Sequence, residues 1–245
     1  LTLIVIVPLF VALPLVLWRY RHGNTRARYR PDWHFSWPLE VLIWGVPILV
    51  TAVLAWNLWV RTAALDPYDP IDHPGPALRI EVISLDWKWL FIYPEQNVAT
   101  VDELVVPADR PLEFHLTSAT VMQSFMIPRL GGQIYTMAGM VTRLNLLASE
   151  PGRYRGQNTQ YNGPGFAKQQ FVVRALDPVD FEAWAAKVAA ERPPLTDERY
   201  AELAKPGLED EALAFSAPAP DLFSRVVESF KGPAEPFAKA EGAGQ

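Results

Sequence analysis

Two unbroken apolar runs open the chain, Leu1 to Trp18 and Val41 to Val60, of 18 and 20 residues, without a charge in either. At about 1.5 Å of helical rise per residue they reach roughly 27 to 30 Å, which matches a hydrocarbon core about 30 Å thick. The pattern predicts two spanning helices. Pro8, Pro14 and Pro47 fall inside them, as membrane helices tolerate where neighbours re-satisfy the freed carbonyls. The first run exceeds a signal-peptide core of about 7 to 15 residues and ends in Trp18-Arg-Tyr-Arg21 instead of a small-residue cleavage site. Between the runs, Arg19, Arg21, Arg26, Arg28 and Arg30 face Asp32 alone. That bias puts the loop in the cytoplasm and both termini on the other side. Trp18, Tyr20, Trp33 and Trp37 crowd the cytoplasmic ends, and Trp56 and Trp59 the far end, where amphipathic rings settle at a membrane interface. Residues 1–62 are thus expected to form a hairpin anchored in lipid.

Residues 63–76 break the pattern with a Pro- and Asp-rich linker, Asp66 to Pro76, which the prolines make a semi-rigid spacer. From 77 to 176 short β-branched and aromatic runs recur between Pro, Gly and Asn: Leu78 to Ile83, Trp87 to Tyr93, Glu103 to Val106, Leu112 to Leu116, Val141 to Leu147 and Gln170 to Arg174. This spacing predicts an antiparallel sandwich. Residues 177–232 read as a helical extension. Asp177-Pro178 resembles an N-cap with proline at the first helical position, and Phe181, Trp184 and Val188 share one face up to Pro193. A second helix is predicted over Thr196 to Ala204, and a third over Asp221 to Phe230, with Leu222, Phe223, Val226, Val227 and Phe230 as its stripe and Gly232-Pro233 as its stop. Residues 233–245 have little to bury and are expected to be disordered.

The sequence contains no cysteine, which excludes thiolate-bridged metal, iron-sulfur clusters, disulfides and a cysteine nucleophile. From Arg61 onward 17 Lys and Arg oppose 25 Asp and Glu, a net charge of −8. That argues against a nucleic-acid partner, which needs a basic face. His22, His34, His73 and His115 lack metal-ligand spacing. Met122, Met126, Met137 and Met140 read as adaptable packing rather than a copper site. No nucleophile elbow or phosphate loop is present, so nothing proposes a self-contained enzyme.

Two segments carry a resemblance: Ser118-Ala-Thr-Val-Met-Gln-Ser-Phe-Met-Ile-Pro128 and Tyr154 to Gln170. They resemble the copper loops of respiratory oxidase subunit II, where the family has a His before Ser-Phe and then Cys-x-x-x-Cys-Gly-x-x-His-x-x-Met. Position by position the first His falls on Gln123, the cysteines on Asn158 and Asn162, the carbonyl-donating Glu on Gln160, the second His on Phe166 and the Met on Gln169. Amides and a phenyl ring do not replace thiolate and imidazole toward copper. Asp86-Trp-Lys-Trp-Leu-Phe-Ile-Tyr-Pro-Glu95, Phe125 to Gly132 and Tyr135 to Met140 are similar to subunit II of bacterial cytochrome bo-type ubiquinol oxidases, the branch without this copper site.

The resemblance runs through nearly the whole chain and implies a cupredoxin-like Greek-key sandwich on the periplasmic face of the inner membrane, behind the two-helix anchor. It also implies residues upstream with a signal sequence and lipidation site. The expected role is a non-catalytic subunit of a proton-pumping ubiquinol oxidase, with no cofactor in this chain. Haems, one copper and ubiquinol would belong to subunit I, and subunit I, other subunits and membrane lipid would be its partners. Trp87 and Trp89, at period two, are expected on one strand face. Trp87 falls where cytochrome c oxidase relatives have the electron-accepting aromatic, but without copper beneath, packing is the better reading. The resemblance sets Glu40 near the entrance of subunit I's proton channel; the alternative is an interfacial carboxylate that snorkels to water or pairs with the arginine loop. A stand-alone membrane-tethered binding module is a second possibility for the whole chain, and an electron-transfer subunit of a cytochrome c oxidase a third, opposed by the missing thiols.

Overall fold

A computed structural model describes residues 2–27, 32, 34–64 and 66–231. It divides into two compact units, Leu1–Ala64 and Leu65–Gln245. The first holds helices α1 (Thr2–Arg19) and α2 (Trp37–Ala64). α2 bares apolar side chains around its circumference, Leu42, Trp44, Ile48, Leu49, Val53 and Trp59 among them, and a helix apolar all round requires lipid or protein against it. Among the described residues Trp37–Thr62 is long and apolar enough to cross a membrane; the apolar stretch of α1, Ile6–Arg19, is shorter. One apolar helix therefore fits a membrane anchor. Arg28, Arg30 and Trp33, part of the predicted arginine loop and aromatic belt, and the tail from 232 lie outside the described residues.

The second unit is a two-sheet sandwich. Its strands are β1 (Leu78–Ser84), β2 (Trp89–Tyr93), β3 (Val98–Val101), β4 (Glu103–Pro107), β5 (Pro111–Ser118), β6 (Gln123–Met126), β7 (Gln133–Thr136), β8 (Thr142–Leu147), β9 (Gly152–Asn158), β10 (Gln170–Leu176) and β11 (Leu213–Ser216). One sheet runs β11-β3-β2-β1-β5-β8 and the other β4-β10-β9-β6-β7. The sandwich is not wholly antiparallel as its spacing predicts. β1 pairs with β5 and β10 with β4 in parallel, because β4 crosses to the second sheet and the chain returns along β5 in the direction of β1.

β2 is buried at all five positions, and the reason is that both faces are covered. Trp89, Phe91 and Tyr93 point into the inter-sheet core with Phe114, Phe125 and Phe171. Leu90 and Ile92 join a second cluster with Leu203, Phe215, Leu222 and Val226. These last come from the C-terminal extension, which holds α3 (Pro178–Glu191), α4 (Asp197–Leu203) and α5 (Leu222–Ser229). The extension is not purely helical: β11 adds an edge strand beside β3. Asp177 precedes α3 but its side chain makes no cap hydrogen bond, whereas Thr196 accepts from the Arg199 N–H and caps α4. Phe230 lies past the end of α5 and is exposed. The linker is tied down, since the Pro67 carbonyl accepts from both the backbone N–H and the side-chain amide of Asn145 on β8.

Candidate functional site

The carried-over positions meet at one end of the sandwich. β6 places Gln123, the end of β9 places Asn158, and the following loop, closed by a short 3-10 turn at Phe166–Lys168, places Asn162 and Gln169. Gln169 is the hub. Its Oε1 accepts from Asn158 Nδ2 at 2.9 Å and Asn162 Nδ2 at 2.8 Å, and its Nε2 donates to Gln123 Oε1. Gln123 Nε2 donates to the Leu85 carbonyl at 3.0 Å and to Thr120 Oγ1 at 3.2 Å. Asn158 Oδ1 accepts the backbone N–H groups of Ser124 at 3.0 Å and Gln160 at 2.9 Å. Gln123, Asn158 and Gln169 are 0%, 5% and 1% exposed, so these bonds form out of water, where an unmade partner is costly.

The network joins the two loops and the turn after β1 as a bridging metal would. It holds no soft donor: primary amides are neutral and bind copper weakly. The donor set does not fit a dicopper centre, and among the described residues no three His, Asp or Glu are grouped so that they could hold a metal ion. Gln160 enters only through its backbone N–H. Phe166 stands outside the network, half-buried, with its ring edge-on to Tyr161 at 5.6 Å.

Trp87 and Trp89 do not share a strand face. Trp87 sits in the turn ahead of β2 with φ +69°, a left-handed backbone unusual for a bulky residue. That conformation turns its ring onto the amide loop, where Nε1 donates to the Asn162 carbonyl at 3.2 Å. Gly165 admits it: a Cβ there would stand 2.2 Å from Trp87 Cδ2. Trp89 points into the core, T-shaped against Phe125 at 5.3 Å. Met122 and Met140, read as packing, are exposed on the loops at this end. His115 pairs with Glu113 at 2.8 Å and His73 with Asp109 at 3.6 Å, each apart from the amides. In the first unit, Glu40 lies in the first turn of α2 and accepts from Trp44 Nε1 at 3.0 Å.

Asp102, between β3 and β4, was not legible as special. Its Oδ1 accepts the Trp89 N–H at 2.8 Å, and its own N–H donates to the Trp89 carbonyl. Nearby, buried Lys88 donates to the Lys205 carbonyl at 3.0 Å and lies 3.7 Å from Glu209. Burial pushes the Asp102 carboxyl from 3.8 up to about 7, against the lowering effects of the Trp89 N–H and Lys88. The folded state thus prefers the protonated acid: its contribution is fullest below the unfolded value and is lost as pH rises toward and through 7. From pH 7 down to pH 5 Asp102 is expected to add about 2 kcal/mol. Asp102→Asn keeps the acceptor, suits φ +58°, and should erase that dependence in denaturation midpoints measured against pH.

A family model, "Cytochrome C oxidase subunit II, periplasmic domain", matches residues 92–176, and with the two sheets this defines the class: a cupredoxin-like periplasmic domain. The chain is 44% identical over 246 residues to "Cytochrome bo(3) ubiquinol oxidase subunit 2" of Pseudomonas aeruginosa, covering 100% of this chain and 74% of that protein. It is 44% identical over 230 residues to "Ubiquinol oxidase subunit 2" of Acetobacter aceti, covering 93% and 75%. The chain belongs to the ubiquinol oxidase subunit 2 family.

Proposed function

We propose that this chain serves a ubiquinol oxidase as a structural subunit that carries no redox centre. The observation that supports this is the buried amide network standing where the resembled loops hold copper. Ubiquinol, being lipid-soluble, delivers electrons from within the bilayer, so a complex that oxidises it and reduces dioxygen in subunit I has no use for an aqueous relay here. On this reading α1 and α2 span the inner membrane, with the sandwich in the periplasm, held on subunit I. The exposed apolar side chains at the site end, Val121, Met122, Met140, Val141 and Tyr161, are the natural seat for such a partner. The loops that bear the first four are joined by the Ser118 N–H donating to the Met137 carbonyl.

Val121→Asp with Met140→Asp is expected to cut the yield of haem-bearing complex isolated through this chain several-fold, while the chain stays folded by near-ultraviolet circular dichroism. Full recovery of complex, or a wild-type chain that purifies alone as a stable monomer in mild detergent, would favour the tethered binding module. Glu40, held by Trp44 near the start of α2, is the candidate at the proton-channel entrance. Unchanged turnover and proton uptake in Glu40→Gln would remove it from that role.

A further inference from the structure

The outer face of β9 and β10 is charged against the trend of its domain. Arg153 and Arg155 stand exposed two residues apart on β9, so their side chains leave the same face about 7 Å from each other. Arg174 on β10 lies directly opposite Arg153 in the antiparallel ladder, with Cβ atoms about 5 Å apart. Like charges set opposite each other destabilise a sheet. Glu103 relieves Arg174 from the far side at 3.2 Å, but among the described residues neither Arg153 nor Arg155 has an ion pair. Beside them the face presents the exposed Val172, opposite Arg155, and the facing pair Gln157 and Gln170. A domain of net charge −8 thus keeps a self-repelling cationic patch on an exposed stretch of its surface.

We propose that this face docks a protein partner through an extended acidic segment whose alternate carboxylates meet Arg153 and Arg155. Arginine favours such a role because its planar fork grips a carboxylate with two parallel hydrogen bonds and is less strongly hydrated than lysine. An extended segment matches the spacing, since its alternate side chains also repeat at about 7 Å. A bilayer is the poorer occupant: the outer face of β9 and β10 has no aromatic or long aliphatic side chain to insert among lipids.

The oxidase isolated through this chain would be titrated at low salt with a fluorescent alternating Glu-Thr peptide. Binding should weaken with added salt, and fall about tenfold in Arg153→Gln/Arg155→Gln. It should persist in Arg79→Gln/Arg143→Gln, which removes the same charge from the other sheet. Arg153→Gln alone should raise the unfolding temperature by relieving Arg174. No peptide binding by the parental complex, equal losses in both double variants, a lowered unfolding temperature, or preference for phosphatidylglycerol vesicles over the peptide would each overturn the proposal.

Discussion

Replacing Gln169 by leucine is expected to destabilise the sandwich by about 3 to 5 kcal/mol, although the two side chains are close in size. The substitution removes the acceptor shared by Asn158 Nδ2 and Asn162 Nδ2 and the donor to Gln123 Oε1. Each buried polar group left unpartnered costs about 1 to 3 kcal/mol, and hydrophobic gain at a site already surrounded by amides offsets little of that. Gln169→Met, which restores the family's ligand at this position, should fail for the same reason. Chemical denaturation followed by tryptophan emission reads the effect directly, since Trp87 rests on this loop through Asn162 and Gly165. A loss below about 1 kcal/mol in both variants would mean that the amides are solvated and bridge nothing.

Gly156→Ala should do comparable damage from inside the core. A Cβ at Gly156 would stand 1.9 Å from Phe171 Cζ and 2.2 Å from Cε2, so the ring must move. It has nowhere to go: it stacks on Phe125 at 5.2 Å and 15°, and lies 5.1 Å from Phe91 and 5.8 Å from Trp89. Alanine would gain about 0.5 to 1 kcal/mol over glycine in a strand from chain entropy, but overpacking a filled core costs about 1 to 3 kcal/mol and occasionally more. We expect a net loss of about 2 kcal/mol by denaturant titration, partly recovered when Phe171→Leu is added. A neutral Gly156→Ala, or a double variant no better than the single, would show that the aromatic cluster is free to yield.

The elements that were legible in the chain are those with one strongly apolar face. The core strands β1, β4, β5, β8 and β10 and the helices α3 and α5 follow the spacing of their buried residues. The missed strands lack that signature. β9, Gly-Arg-Tyr-Arg-Gly-Gln-Asn, keeps a glycine at its buried centre to admit Phe171, and its arginines face out. β6 is four residues long and buries Gln123 and Ser124. β11 exists through its pairing with β3, more than a hundred residues earlier in the chain, which no local pattern records. The run Trp87 to Tyr93 looked like one strand because a left-handed turn at Trp87 leaves no mark on alternation.

The site was half legible for a related reason. Missing thiols and imidazoles can be read from letters, but Gln157-Asn-Thr-Gln-Tyr-Asn162 reads as a solvated loop. Only the fold brings Gln169 between Gln123 and Asn158 and dries all three. Nor does any local pattern mark Asp102; its burial against Trp89 comes from the crossing of the chain between the two sheets.

That amides do here the loop-joining work of a metal is tested most directly by a copper count with a near-infrared spectrum of the oxidase purified through this chain. One copper per complex alongside the haems, with no band from a mixed-valence copper pair, is the predicted result. Two further coppers per complex bearing such a band, and lost when Gln123 and Gln169 are replaced by alanine, would contradict it.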